Sequence, residues 1–407
     1  MEINELGFLG DGVAVHAGER LIVPLALPGE IWRVRRRGKR VEPVACLAAS
    51  PRRRAPVCPH FGDCGGCALQ HLPEGAEDAL KVRRIEGALA ARGLAVPGPI
   101  PLHQSPLGSR RRLRLGFTRD GQLGFRRRAD SAIVAVAVCP IARPELVALF
   151  APLGHLLRRL QVARQTAQRG GEVTLTALDA GAEVVLHLGA ELELADREAL
   201  AAFAEAQDLV RLAVSVGAAT PEPVAERKPP VLTIAGQQVA LPPAAFLQAT
   251  SEGEGALQAF TAGHLAGARK VVDLFAGVGT LGRALLAAGT FVRAFEAVPE
   301  LVAAARHPQI EATRRDLSAA PLQPDELRRT DAVILDPPRA GALAQSEALA
   351  ASDVPRLVYA SCEPASFARD AAVLVAGGYR LAALEAVDQF RFAPEIELAA
   401  GFVRDAT

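Results

Sequence analysis

The sequence predicts a multidomain α/β protein. A small N-terminal β-barrel spans residues 1–54, a mostly β central domain with a cysteine-rich loop spans 55–240, and a Rossmann-like, doubly wound domain spans 241–407. Three observations lead there. The 407 residues exceed what one hydrophobic core usually serves, so two or three domains are expected. Short apolar runs punctuated by Gly and Pro fill the first part of the chain, whereas strands alternate with helical stretches from about residue 255. Half of the residues are hydrophobic and 22% are charged, which suits a packed chain and excludes a disordered one. No apolar run is long enough to cross a bilayer, and the N-terminus lacks a basic-then-apolar signal, so a cytoplasmic protein with no membrane partner is expected.

The first part reads as short strands with Gly turns. Ile31–Arg35 alternates apolar and basic side chains, as a half-buried strand does. Arg33, Arg35, Arg36, Arg37, Lys39 and Arg40 then form a basic rim, either on a five-stranded barrel of the oligonucleotide-binding kind or on a solvated hairpin end. Residues 1–150 carry 23 Lys and Arg against 14 Asp and Glu, although the whole chain is nearly neutral at +1. A basic first third fits a polyanion partner. A compositional preference for Arg explains the scarcity of Lys but not the concentration of charge at one end.

In the central part, residues 77–92 space Leu80, Ile85 and Leu89 as one helix face, which is expected to pack on the C-terminal domain. Asp120-Gly121 marks one hairpin and Asp179–Gly181 another. Residues 144–164 predict an amphipathic helix interrupted near Pro152, and 220–231 a Pro-rich connection. There is no internal repeat.

In the C-terminal part, VVDLF, VRAFE, DAVILD and RLVYAS alternate with helical stretches, the pattern of a doubly wound parallel sheet. Ligands bind such sheets beyond the carboxyl ends of the strands. VVDLFAGVGTLGRALL (271–286) is a strand ending in Asp273, a Gly loop and a helix. Glu296, at the end of the next strand, is suited to ribose hydroxyls, and Asp316 to an adenine amino group. A Gly loop with a downstream acid fits a dinucleotide as well as a nucleoside-based methyl donor. Asp336 in VILDPPRAG and Cys362 in LVYASCEP end the following strands at the same edge. A lone Cys in an apolar strand is usually core, but Cys362 lies past the apolar run, between Ser361 and Glu363.

Together, DLFAGVGTLG, LDPPRAG, ASCEP, PAAFLQAT (243–250) and the terminal QFRFAPEIELAAGFVR resemble the RNA uracil-5-methyltransferase family. The resemblance covers most of the chain. It implies an S-adenosylmethionine-dependent enzyme acting on ribosomal RNA, the branch with an OB/TRAM-like barrel and an iron–sulfur loop. A transfer-RNA enzyme and a non-catalytic RNA-binding protein are the alternatives. By the resemblance, Gln248, Phe275, Thr280, Glu296, Asp316 and Asp336 line the methyl-donor pocket, Cys362 is the nucleophile and Glu397 the base. The chemistry explains these residue types: a thiolate on C6 of uracil makes C5 nucleophilic, and a carboxylate then removes the C5 proton. Sister enzymes acting on cytosine usually carry Pro-Cys where this chain has Pro337-Pro338, which points to uracil. Two departures stand out. Glu363 replaces the family's Asn, and Arg391, Ala393 and Glu395 replace its Pro, Thr and His, adding carboxylates that are expected either to raise the pKa of Glu397 by repulsion or to alter which RNA fits. Strand alternation puts Glu395 and Glu397 on one face, so only the family match separates them.

Cys58, Cys64 and Cys67 lie in CPHFGDCGGC, and Cys139 in VAVCPI supplies a fourth thiol. Four thiolates suit zinc or an iron–sulfur cluster, and spacing does not decide between them. The family includes members in which this spacing holds a four-iron, four-sulfur cluster, which the resemblance therefore favours over zinc. Cys46 has no partner pattern and is read as core. A monomer is expected.

Overall fold

The computed structural model describes residues 1–37, 40–128, 130–166 and 171–404. Lys39 of the basic rim lies outside the described residues, as do the side chains of Arg37 and Arg40. The molecule is a multidomain α/β chain whose largest element is an eight-stranded mixed sheet.

That sheet explains where ligands can sit. Strands Ile310–Arg314, Phe291–Glu296, Lys270–Leu274, Ala332–Leu335 and Arg356–Ser361 run parallel in that spatial order. The sheet then departs from the parallel expectation. Glu397–Arg404 pairs antiparallel with Arg356–Ser361, and Tyr379–Asp388 lies outside it. Because side chains alternate along a strand, Val272, Leu274, Val333, Leu335 and Leu357 face one apolar layer, with Ile85, Leu89 and Phe367. Val271, Ala332, Ile334 and Val358 face the other, with Leu257, Leu285 and Leu286. Helices thus cover both faces, as a doubly wound sheet requires.

Helix Ala76–Ala90 buries Leu80, Ile85 and Leu89, and the last two join the core of the large sheet. Strand Leu102–Gln104 extends that sheet by pairing parallel with Tyr379–Asp388. The helical stretch after the Gly loop is a 3-10 helix, Gly282–Ala288. Its first residue is pulled against the preceding strand: Gly282 N–H donates to Asp273 at 3.1 Å, and a Cβ there would lie 2.7 Å from that carboxylate.

The central seven-stranded sheet contains both expected hairpins, Arg112–Phe117 with Leu123–Arg126 and Gly171–Leu178 with Gly181–Leu188. Two expectations are corrected. Residues 144–164 form short helices, Pro144–Val147, Phe150–Arg159 and the start of Gln161–Thr166, so the breaks fall near residues 148 and 160. Pro152 sits in a first turn, where its missing N–H costs nothing. The Pro-rich connection contains an edge strand, Glu222–Glu226, paired with Arg211–Val216; Pro223 is tolerated because an edge needs fewer donors.

At the N-terminus, Glu5–Leu6, Gly12–His16 and Glu19–Val23 form one sheet, and Ile31–Arg37 with Arg40–Ala48 a second. Ile3, Ala14, Leu21, Val23 and Val41 are their common core. Buried Glu30 accepts from Arg53, Trp32 and the backbone of Leu27 and Ser50. Burial pushes its pKa up, but those bonds outweigh it and hold it at about 2. Cys46, read as core, is exposed, as are Leu47 and Ala48 beside it, so this end of the strand leaves the core on both faces. No helix among the described residues is long and apolar enough to cross a membrane.

Candidate active site

The strand ends of the large sheet open on a cavity of about 680 Å³. Gln248, Phe275, Thr280, Glu296, Asp316, Asp336, Cys362 and Glu397, each singled out in the sequence, all line it. They reach it from separate elements: the loop after Lys270–Leu274, the carboxyl ends of four further strands, the start of Glu397–Arg404, and the segment before helix Ser251–His264. Phe275 turns the loop with φ 60°, a left-handed conformation that costs a non-glycine residue free energy and is usually found at functional sites.

Backbone donors hold the acidic groups at the outer end. Gly277 N–H donates to Glu296 Oε2 at 3.0 Å, and Ala297 and Val298 donate to Oε1 at 2.8 and 2.9 Å. Asp316 accepts from Ser318 and Ala319. Two acids at fixed positions beside a Gly loop suit the ribose and base of a nucleoside, and the volume is that of a small-molecule site.

The inner end is crowded with carboxylates. Burial raises Asp273 to about 7, helped by Asp336, and burial raises Asp336 to about 6. Glu397 is pushed well above its usual range, first by burial and then by Asp336, against hydrogen bonding from Gln389 and the charge of Arg339. Glu395 and Glu363 are not the source of repulsion: Asp336 is. Cys362 is raised by burial and by Glu397, while Arg339 favours the thiolate by charge and by a hydrogen bond.

The structure separates Glu395 from Glu397, which the sequence did not. Strand Glu397–Arg404 begins at Glu397, which is 4% exposed. Glu395 lies in the preceding loop, half-exposed and 3.7 Å from Arg339. Glu363 caps helix Pro364–Ala376 by accepting from Ala365 N–H at 3.5 Å, so an acid there serves a helix terminus.

Sequence reasoning missed Gln389, Arg339 and Arg110. Arg339 stood within the quoted DPPRAG, and Gln389 begins the quoted terminal motif; neither residue type announced a role. Gln389 donates to Gln248 at 2.6 Å and to Glu397 at 3.3 Å. Gln248 in turn donates to Asp336 at 3.3 Å.

Cys58, Cys64, Cys67 and Cys139 line a second cavity, of about 220 Å³. Burial pushes Cys67 up to about 12, opposed by Gln70 and reinforced by Cys139, Cys64 and Cys58. Four soft donors round one space match what zinc or an iron–sulfur cluster requires. Among the described residues, however, no group of three or more His, Cys, Asp or Glu is drawn together closely enough to hold a metal ion as it stands. Arg110 lines both cavities and lies 5.8 Å over the ring of Phe390. Beyond Cys67, the N–H groups of Ala68 and Leu69 both donate to Phe392 O, at 2.7 and 2.9 Å, in the loop that leads to Glu397.

No protein-family model matches the chain. It is 35% identical over 99% of its length to a Caulobacter vibrioides protein named an uncharacterized RNA methyltransferase, 99% of which is covered. It is also 35% identical to a Chromohalobacter salexigens 23S rRNA (uracil(1939)-C(5))-methyltransferase, over 100% of this chain and 89% of that one. Among solved structures, Pyrococcus abyssi tRNA (uracil-54, C5)-methyltransferase with S-adenosyl-L-homocysteine superimposes with a TM-score of 0.76. That likeness covers 99% of this chain and 100% of the other at 23% identity, a similarity of fold.

Proposed function

The chain belongs to the RNA methyltransferase family that includes the 23S rRNA uracil-C5 enzymes, and we propose that it methylates C5 of a uridine in ribosomal RNA, using S-adenosylmethionine. The observation that carries the proposal is the meeting of Cys362 and Glu397 in the cavity that also holds the nucleoside-binding acids. Bound S-adenosylmethionine supplies an electrophilic methyl group on a sulfonium. Glu296 and Asp316 hold its ribose and adenine, and Gln248, Phe275, Thr280 and Asp336 order the remainder of the pocket.

Cys362, whose thiolate form Arg339 favours against burial and the charge of Glu397, adds to C6 of the uracil. The S–C6 bond forms and the ring electrons move toward O4, so that C5 takes the methyl group as its bond to the sulfonium breaks, that pair staying on sulfur in the departing thioether. Glu397 accepts the C5 proton, the C5=C6 bond re-forms and the thiolate leaves. Burial beside Asp336 favours the protonated form of Glu397; Gln389 and Arg339 work in the opposite direction.

Residues 1–54 act in this reading as an OB/TRAM-like RNA-binding barrel, supported by the exposed Arg33 and Arg35 on strand Ile31–Arg37. Cys58, Cys64, Cys67 and Cys139, which line one cavity, would draw together to hold a four-iron, four-sulfur cluster with a structural role, because methyl transfer moves no electron to or from a cluster. The protein works as a cytoplasmic monomer. Mapping 5-methyluridine in RNA from a strain lacking the gene, then restoring it in vitro with purified protein, tests the proposal. Methylation of 23S rRNA supports it. Methylation confined to tRNA replaces the substrate, and no methylation of either leaves a non-catalytic RNA-binding protein.

A further inference from the structure

Gln248, which lines the cavity, and Gln389, buried behind it, form a chain with a single possible direction. Gln389 is 2% exposed and follows Asp388, which is anchored by Lys81 at 2.7 Å. Its Oε1 accepts from the backbone N–H of Ala249 at 2.8 Å. A backbone N–H can only donate, so the oxygen and the nitrogen of this amide cannot be exchanged. The Nε2 group therefore faces Gln248 Oε1 at 2.6 Å and Glu397 Oε2 at 3.3 Å. With its own oxygen so occupied, Gln248 must turn its NH2 toward Asp336, 3.3 Å away.

One main-chain donor thus propagates through two amides and ends on two carboxylates, each receiving an N–H. The chain is also boxed in by packing. A Cβ on Gly253, in helix Ser251–His264, would come within 3.0 Å of Gln389 Cβ and 3.2 Å of its Oε1. The loop beyond Gln389 is held as well: Phe392 N–H donates to Glu77, and Arg84 donates to Pro394 O.

We propose that Gln389 is a positioning residue that orients Glu397 through its Oε2 and favours its carboxylate form and, through Gln248, fixes the orientation of Asp336. The proposal rests on the uracil-methylation reading. With Oε2 engaged by the amide, Oε1 of Glu397 is left to take the C5 proton, and the amide need not move as it arrives. The charged or titratable groups facing Glu397 are Asp336, Cys362 and Arg339. Asp336 opposes the carboxylate form and Arg339 supports it; Gln389 adds the donor that no charged neighbour supplies.

The test uses the full chain with RNA transcript and labelled methyl donor, and compares wild type with Gln389→Leu and Gln389→Asn. In Gln389→Leu, kcat is expected to fall about 10- to 100-fold. The acidic limb of its pH–rate profile should move up by about one pH unit. A denaturation-resistant protein–RNA species already carrying the methyl group should accumulate, because elimination waits for the base. Gln389→Asn keeps the amide but shortens its reach and should fall between the two. Gly253→Ala, whose Cβ would crowd the capping hydroxyl of Thr250 as well as Gln389, should shift the limb in the same direction, with thermal melting run alongside to check the fold. An unmoved pH limb and no methylated adduct in both Gln389→Leu and Gly253→Ala would overturn the proposal, whatever the rate. If wild type itself forms no 5-methyluridine, the functional reading fails first and this assignment with it.

Discussion

The two cavities meet at Arg110 but solve opposite problems. The larger one gathers carboxylates at the ends of parallel strands and compensates them internally, with backbone N–H groups on Glu296 and Asp316 and glutamine amides on Glu397 and Asp336. The smaller one gathers thiols on loops, and there each additional thiolate raises the cost of the next. The difference teaches where each site gets its organisation. Rigid strand ends and fixed dipoles organise the first, whereas the proposed cluster would complete the second.

The sharpest way to break this comparison is to remove the nucleophile. Cys362→Ala is expected to lower turnover by at least about 10⁴-fold and to leave no covalent RNA adduct on denaturing gels. Substantial residual methylation would show that the thiol is not the attacking group. Next in size, Glu397→Gln should cost about 10²- to 10⁴-fold and trap a methylated adduct. Glu395→Gln, altering only a half-exposed acid 3.7 Å from Arg339, should behave nearly as the parent. If Glu395→Gln alone traps the adduct, the base has been misassigned.

Cys139→Ser addresses the smaller cavity. Anaerobically purified parent protein should contain iron and sulfide, and the variant should lose both, along with thermal stability, before methyl-donor affinity suffers. Stoichiometric zinc without iron in the parent rejects the cluster. A smaller effect concerns pH and stability. Asp273 has a folded-state pKa raised from 3.8 to about 7, so its contribution to stability is complete below about pH 4 and is lost as pH rises through 7. The loss is of the order of a few kcal/mol. Denaturant titrations of Asp273→Asn should show the variant gaining on the parent between pH 4 and 7; a constant difference would refute the raised pKa. Smallest of all, Arg33→Gln and Arg35→Gln should each lower the slope of RNA affinity against salt by about 0.7 for every phosphate no longer neutralised, without changing the rate at saturation. An unchanged slope would remove the N-terminal strands from the RNA interface.

Legibility followed local chemistry. Strand-and-helix alternation identified the doubly wound sheet because hydrophobic periodicity is written into consecutive residues. The antiparallel insertion of Glu397–Arg404 between two earlier strands was not legible, since nothing in an apolar strand states its neighbour. Cys362 could be singled out because a thiol at a strand end is unusual; Gln389 could not, because an isolated glutamine has no local signature and its meaning comes from Ala249, Gln248 and Glu397. The same limit applied to Glu395. Period-two reasoning placed it beside Glu397, but the strand starts two residues later, after a loop tied to helix Ala76–Ala90. The repulsion assigned to the extra acids comes instead from Asp336, on another strand.

The tie between helix Ala76–Ala90 and the loop before Glu397 also imposes an order in time. Phe392 N–H reaches Glu77 across 315 residues, and Lys81 reaches Phe390 O across 309. Contacts of such span are slow to form, because the loop-closure entropy must be overcome first. On the ribosome, the chain from residue 1 to Ala376 emerges before Glu397–Arg404 does. Until then Arg356–Ser361 is an open sheet edge, and the cavity lacks Glu397. On the proposed mechanism, a chain truncated before Glu397 that captured an RNA through Cys362 would lack the group needed to let it go.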